Sequence, residues 1–94
     1  MQGSGRRIRA RHLMVIVCRG AEPDSRVGLT VSRKVGGAVT RNRVKRWLRE
    51  AVRAIPGPRG GPWDLVVIPR AEAADAGLLV LQGEIADLYA RIAR

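Results

Sequence analysis

The residues best equipped for chemistry lie between Ser32 and Ile55, where SRKVGGAVTRNRVKRWLREAVRAI sets eight cations against one acid, Glu50. The cations are Arg33, Lys34, Arg41, Arg43, Lys45, Arg46, Arg49 and Arg53. On a helical wheel, Val44, Trp47, Leu48, Ala51, Val52 and Ile55 gather on one side. Lys45, Arg46, Arg49 and Arg53 gather on the other, with Asn42 among them and Arg43 on the flank. A helix that is only solubilised by its charges pairs them with acids one turn away, and here the cations are barely offset, with Glu50 alone at that spacing from Arg46 and Arg53. A row of guanidinium and ammonium groups matches the phosphates of a nucleic-acid backbone, and Asn42 adds a side chain that both donates and accepts. Arg33 and Lys34, and the basic cluster from Arg6 to Arg11, add to the same charge.

Catalytic chemistry has much less to draw on. Cleavage of phosphodiesters with Mg²⁺ needs clustered carboxylates, whereas Glu22, Asp24, Glu50, Asp64, Glu72, Asp75, Glu84 and Asp87 are scattered along the chain. Glu84 and Asp87 could share a helix face, and a solvated pair is the expectation for them. A mechanism built on two histidines is closed to a chain with His12 alone, and His12 reads as a strand residue. The polypeptide is therefore expected to have no catalytic residue, no metal site and no cofactor of its own. Trp47, Trp63 and Tyr89 are its aromatics, and none falls in an expected strand, which disfavours a base-stacking sheet. Trp47, on the apolar edge of its helix, is expected to pack the core.

The formal net charge is +10 over 94 residues. That length makes one small domain, here a single nucleic-acid-binding domain over 1–94. Residues 1–8 are expected to be a disordered or vector-derived start. So large a positive excess points to a polyanionic partner. Neither a membrane-spanning run nor a signal pattern is present, so the expectation is a cytoplasmic protein without a membrane partner. The lone Cys18 can form no internal disulfide. Among Leu13, Met14, Val15, Ile16 and Val17 it is expected to be a small buried hydrophobe.

The elements that must position the basic row follow from periodicity and turn residues. HLMVIVC (12–18) reads as a strand, RGAEPDS (19–25) as a turn, and Arg26 to Val31 as a second strand, antiparallel to the first across that hairpin. Gly36 and Gly37 precede the basic helix, where they permit close approach or positive φ. Thr40 is the expected N-cap and Pro56 the stop. PGPRGGPW (56–63) connects to a strand over 64–68, and a second helix starts at Asp75 or Gly77 with Leu78, Leu81, Ile85, Leu88 and Ile92 in period. Gly83 weakens it. The fold class is α+β, a two-layer α/β sandwich whose small sheet of three to four strands carries helices on one face. Two helices cover only one sheet face. Whether Leu13, Val15 and Val17 or Met14, Ile16 and Cys18 face them is open, and an uncovered apolar face would offer a surface for a partner, self-association or single-stranded RNA.

The segment VGLTVSRKVGGAVTRNRVKRWLREAVR (27–53) resembles the signature of the bacterial ribonuclease P protein subunit. The resemblance rests on Arg41-Asn42-Arg43, Lys45-Arg46 and Arg49-Glu50, preceded by Ser32-Arg33-Lys34-Val35-Gly36-Gly37-Ala38-Val39. It extends more loosely from Arg11 through DLVVIPR to the C-terminus. It implies an accessory protein that binds a large catalytic RNA and assists removal of the 5′ leader from precursor tRNA, with Mg²⁺ belonging to the RNA. It also implies a left-handed strand-helix-strand crossover, against the general preference. The family's helix ahead of the first strand, which carries phenylalanines, is expected to have no counterpart in the Gly- and Arg-rich start of this sequence, which has no Phe.

On this resemblance the RNA-binding candidates are Arg33, Lys34, Arg41, Asn42, Arg43, Lys45, Arg46, Arg49 and Arg53. Those for a leader cleft are Arg9, Arg11, Met14 and Ile16. Gly37 stands where many relatives carry Asn, and Ile16 where an aromatic is common. The expected partners are ribonuclease P RNA and precursor tRNA, not DNA. The alternatives are a ribosomal or other structural RNA-binding protein, and a stand-alone nuclease, against which the scattered carboxylates count.

Overall fold

The computed structural model describes residues 5–20 and 25–92. Four strands, β1 (Arg6–Arg9), β2 (Leu13–Arg19), β3 (Arg26–Leu29) and β4 (Trp63–Pro69), form one sheet in the order β1-β2-β4-β3. Helices α1 (Ala38–Ala54) and α2 (Leu78–Ile92) pack on it and on each other, and short 3-10 turns occupy Arg33–Val35 and Ala71–Asp75. This is the expected α+β architecture with four strands.

Two departures concern the sheet. Arg6–Arg9, read as part of a basic arm with residues 1–8 outside the fold, is an edge strand pairing antiparallel with β2, Ile8 opposite Val15. The second departure is the hairpin, since β3 does not pair with β2. β4 lies between them, antiparallel to β2 along its whole length and parallel to β3. The reason lies in the side chains. β4 is apolar on both faces (Leu65 and Val67, Val66 and Ile68), which suits a central strand, whereas β3 exposes Arg26 and Gly28, which suits an edge. The turn expected over 19–25 falls largely outside the described residues.

Pleating decides which face is covered. Leu13, Val15, Val17, Leu65 and Val67 are buried beneath the helices with Val44, Leu48 and Ala51 of α1 and Leu81, Ile85, Leu88, Tyr89 and Ile92 of α2. Met14, Ile16, Cys18, Val66 and Ile68 point the other way and remain half-exposed. Cys18 is therefore not the buried hydrophobe expected. Trp63 opens β4, so one aromatic does lie in a strand. Its ring carries the Arg19 guanidinium 4.4 Å from the centroid, and its Nε1–H donates to the Arg59 carbonyl.

α1 ends where Pro56 would remove a donor, with Ile55 already extended. α2 begins after Gly77, whose φ is +85°. His12 precedes β2 rather than lying in it. Its backbone N–H donates to Glu84 Oε1 at 3.0 Å, and its Nδ1 meets Glu84 Oε2. Glu84 is thus a partner of His12 across the layers, not a solvated mate of Asp87, which instead sits 3.8 Å from Arg91.

Leu48 is fully buried, so Leu48→Ala should lower unfolding free energy by about 2–5 kcal/mol in urea titration. Gly83 is exposed, and a Cβ there would meet nothing within 4 Å. Gly83→Ala should therefore raise stability by about 1 kcal/mol in the same measurement.

Candidate nucleic-acid interface

The basic face is built by anchoring α1 from below. Val44, Leu48 and Ala51 are at 0% exposure, with Trp47 and Val52 packed at their margin. The opposite side presents Asn42, Arg46, Arg49 and Arg53 to solvent. Among the described residues the carboxylates contact basic side chains at His12–Glu84, Arg26–Asp64 and Arg91–Asp87, and none of these contacts involves an α1 cation, Arg33 or Lys34. The row therefore carries no ion pair among the described residues, and Glu50 is the one acid of α1 a turn away from Arg46 and Arg53.

The other candidates on α1 are held differently. Arg43 is exposed but donates to the Ala74 carbonyl at 3.3 Å and lies 5.4 Å from the centre of the Trp47 ring. Lys45 and Arg41 are half-buried, and Arg41 Nε is buried without a partner among the described residues. Thr40 is not the N-cap. Gly37 takes that position with φ −74° and no side-chain cap, which places Thr40 in the first turn.

The turn carrying Arg33 and Lys34 is pinned at both ends. Ser32 Oγ accepts from the Lys34 N–H at 3.3 Å, and Val35 is buried. Gly36 then adopts φ +149°, and a Cβ there would come within 2.9 Å of Thr40. Of the glycine pair, only Gly36 needs to be glycine. Arg33 and Lys34 are left exposed beside the start of α1.

The open sheet face forms a second basic surface. Arg9, Met14 and Ile68 share one cross-strand row, and with Arg70 they line a depression of about 410 Å³. Arg70 is held by its backbone N–H on the His12 carbonyl and its Nη1 near the Ala10 carbonyl. A second depression, about 440 Å³, meets the first at Ile68 and Arg70 and reaches Ser32, Lys34 and Glu72.

Of the four cleft candidates, Arg9 and Met14 line this trough. Arg11 and Ile16 do not, and a Cβ on Gly5 would stand only 2.9 Å from Ile16 Cγ2. Ile68 and Arg70 were missed. Their signal was the alternation in DLVVIPR, which puts Val66, Ile68 and Arg70 on one face once register is known. Among the described residues no three of His, Cys, Asp and Glu gather as a metal-holding group, and no helix is long and apolar enough to cross a membrane.

The fold built from this sheet and its two helices superposes on solved RNase P proteins. The Thermotoga maritima protein in complex with 1-(4-fluorophenyl)-2-thiourea superposes with a TM-score of 0.78 at 29% identity, over 93% of this chain and 85% of that one. The Staphylococcus aureus protein gives 0.75 at 33%, over 96% and 82%. Sequence comparison agrees. The Ribonuclease P family pattern matches residues 1–93. The ribonuclease P protein component of Oleidesulfovibrio alaskensis is 43% identical over 94% of this chain and 79% of its own length. That of Dehalococcoides mccartyi is 60% identical over 50 residues, which are 53% of this chain and 40% of the relative. The chain belongs to the bacterial ribonuclease P protein component family.

The two glycines make opposite predictions. Gly36→Ala should cost about 1–3 kcal/mol, since its backbone conformation is nearly confined to glycine. Gly37→Asn, at an extended N-cap with open space around its Cα, should add a few tenths of a kcal/mol. Thermal unfolding of both variants checks the pair.

Proposed function

We propose that this chain binds the catalytic RNA of ribonuclease P through the solvent-facing row of α1, with Arg33 and Lys34 assisting. It would thereby assist removal of the 5′ leader from precursor tRNA. The observation that carries this reading is the combination of an apolar stripe locked in the core with an opposite row of cations lacking carboxylate partners. Such a row binds a polyphosphate by displacing the cations condensed on it into solution. Asn42, Arg46, Arg49 and Arg53 are its exposed centre, and Arg41, Arg43 and Lys45 reinforce it from positions with local contacts.

The precursor's leader is assigned to the open sheet face. Met14 and Ile68 offer an apolar floor, and Arg9, Arg70 and Lys34 follow along the trough as successive phosphate partners. The polypeptide supplies position and charge rather than a reacting group. Its described carboxylates do not form a site for Mg²⁺, so the metal is assigned to the RNA and no step passes through the protein.

Adding the protein to a bacterial ribonuclease P RNA at low Mg²⁺ should stimulate precursor-tRNA cleavage, and no stimulation would overturn the proposal. Contact with about six phosphates should give a slope of log K against log salt near −4 to −5, and a slope shallower than about −2 would remove α1 as the docking surface. Arg46→Ala should weaken RNA binding and flatten that slope by just under one unit without changing the unfolding midpoint.

A further inference from the structure

A groove of about 240 Å³ lies between β3 and the C-terminal half of α1, on the helix side of the sheet and away from the leader trough. Its floor is Val27, Leu29 and Val52, all half-buried, and its rim is Arg49 and Arg53. A surface that only follows the backbone of a duplex needs cations and no apolar floor. Conversely, a groove for an apolar side chain needs no pair of guanidiniums at its mouth. Arg49 and Arg53 are one helical turn apart, both are exposed, and neither has a carboxylate or hydrogen-bond partner among the described residues. The volume falls below the usual range for drug-sized ligands and suits a single ring system. β3 is the sheet edge among the described residues, which place no further strand over the groove on that side.

Flat, apolar-faced and tethered to anions describes a nucleotide, and only one whose base is out of the stack could reach this floor. We propose that the α1–β3 groove receives an unpaired, extruded nucleotide of the bound RNA. The base lies on Val27, Leu29 and Val52, and the flanking phosphates meet Arg49 and Arg53. This rests on the reading of α1 as the RNA-binding helix and deepens it: the protein would select a bulge or loop rather than uniform duplex. An acidic extended peptide added to the β3 edge would meet similar chemistry. RNA is favoured because Arg49 and Arg53 continue the row begun by Asn42 and Arg46.

The test uses the full chain with ¹³C-labelled valine and leucine methyls and two hairpin RNAs of equal phosphate number, one fully paired and one with a single-nucleotide bulge. The methyls of Val27, Leu29 and Val52 should shift with the bulged hairpin only, and that hairpin should bind about tenfold more tightly. Leu29→Asn should erase the preference while leaving affinity for the paired hairpin unchanged. Equal binding of both hairpins with silent methyls would overturn the groove proposal and leave α1 as an RNA-binding helix. Failure of both hairpins to bind would overturn the two together. Shifts of these methyls with a Glu- and Val-rich extended peptide, but not with bulged RNA, would overturn it in favour of a protein partner.

Discussion

The cationic face proposed to bind RNA depends on the burial of one stripe of α1. Val44, Leu48 and Ala51 are withdrawn completely from water, and the rotation of a helix is a single variable. Once those three are fixed against the sheet and α2, Asn42, Arg46, Arg49 and Arg53 have no freedom to turn inward. Clustered like charges oppose one another along such a row, and no described carboxylate forms an ion pair with them. The apolar contact therefore holds an electrostatically unfavourable arrangement in place until a polyanion neutralises it. The dependence runs in one direction, because the core would survive loss of the cations and the cations could not be aligned without the core.

The same asymmetry governs the sheet. Two helices suffice for one face only, and the odd-numbered positions of β2 take it. Met14, Ile16, Val66 and Ile68 are then left half-exposed, bordered by arginines from β1 and by Arg70. In an ordinary small domain this face would be polar. Its apolar character with a cationic margin is consistent with an occupant that is flat and negatively charged. Arg9 and Arg70 are set by backbone structure, one in β1 and the other through hydrogen bonds to the segment joining β1 and β2. Their placement does not rely on a flexible loop.

The legible part of the sequence was its local physics. The helical period of Val44 to Ile55 gave the side of α1 that is buried, Pro56 gave its end, and the apolar runs LMVIVC and DLVVI gave two strands. What local patterns could not supply was partnership. RRIR looks like a charged arm because three of its four residues point to solvent. It becomes a strand only because β2 offers a free edge and Ile8 reaches the core margin. The hairpin expected between β2 and β3 was a fair inference from a short connection, but β4, more than thirty residues onward, is the better central strand. The partnership of His12 with Glu84 spans 72 residues, beyond the reach of any spacing argument. Thr40 was a good N-cap by type, yet the tight turn at Gly36 starts the helix three residues earlier.

The two cationic surfaces belong to opposite layers. The α1 row faces outward from the helix layer, and the trough at Arg9, Met14, Ile68 and Arg70 lies on the uncovered side of the sheet. The molecule measures 34 × 25 × 21 Å, so its layers hold the two surfaces apart by more than the Debye length of about 8 Å at physiological ionic strength. Neutralising one surface with phosphates therefore changes the field at the other only slightly. The turn bearing Arg33 and Lys34 is the exception. It leads directly into α1, and through Lys34 it borders the depression shared with Ile68 and Arg70. On the proposed reading, two nearly independent cationic surfaces, joined at one edge by a turn that Gly36 and Val35 hold in shape, would keep two RNA strands at a fixed separation. That requires no moving part and no reacting group in the polypeptide, only that its thin core not deform.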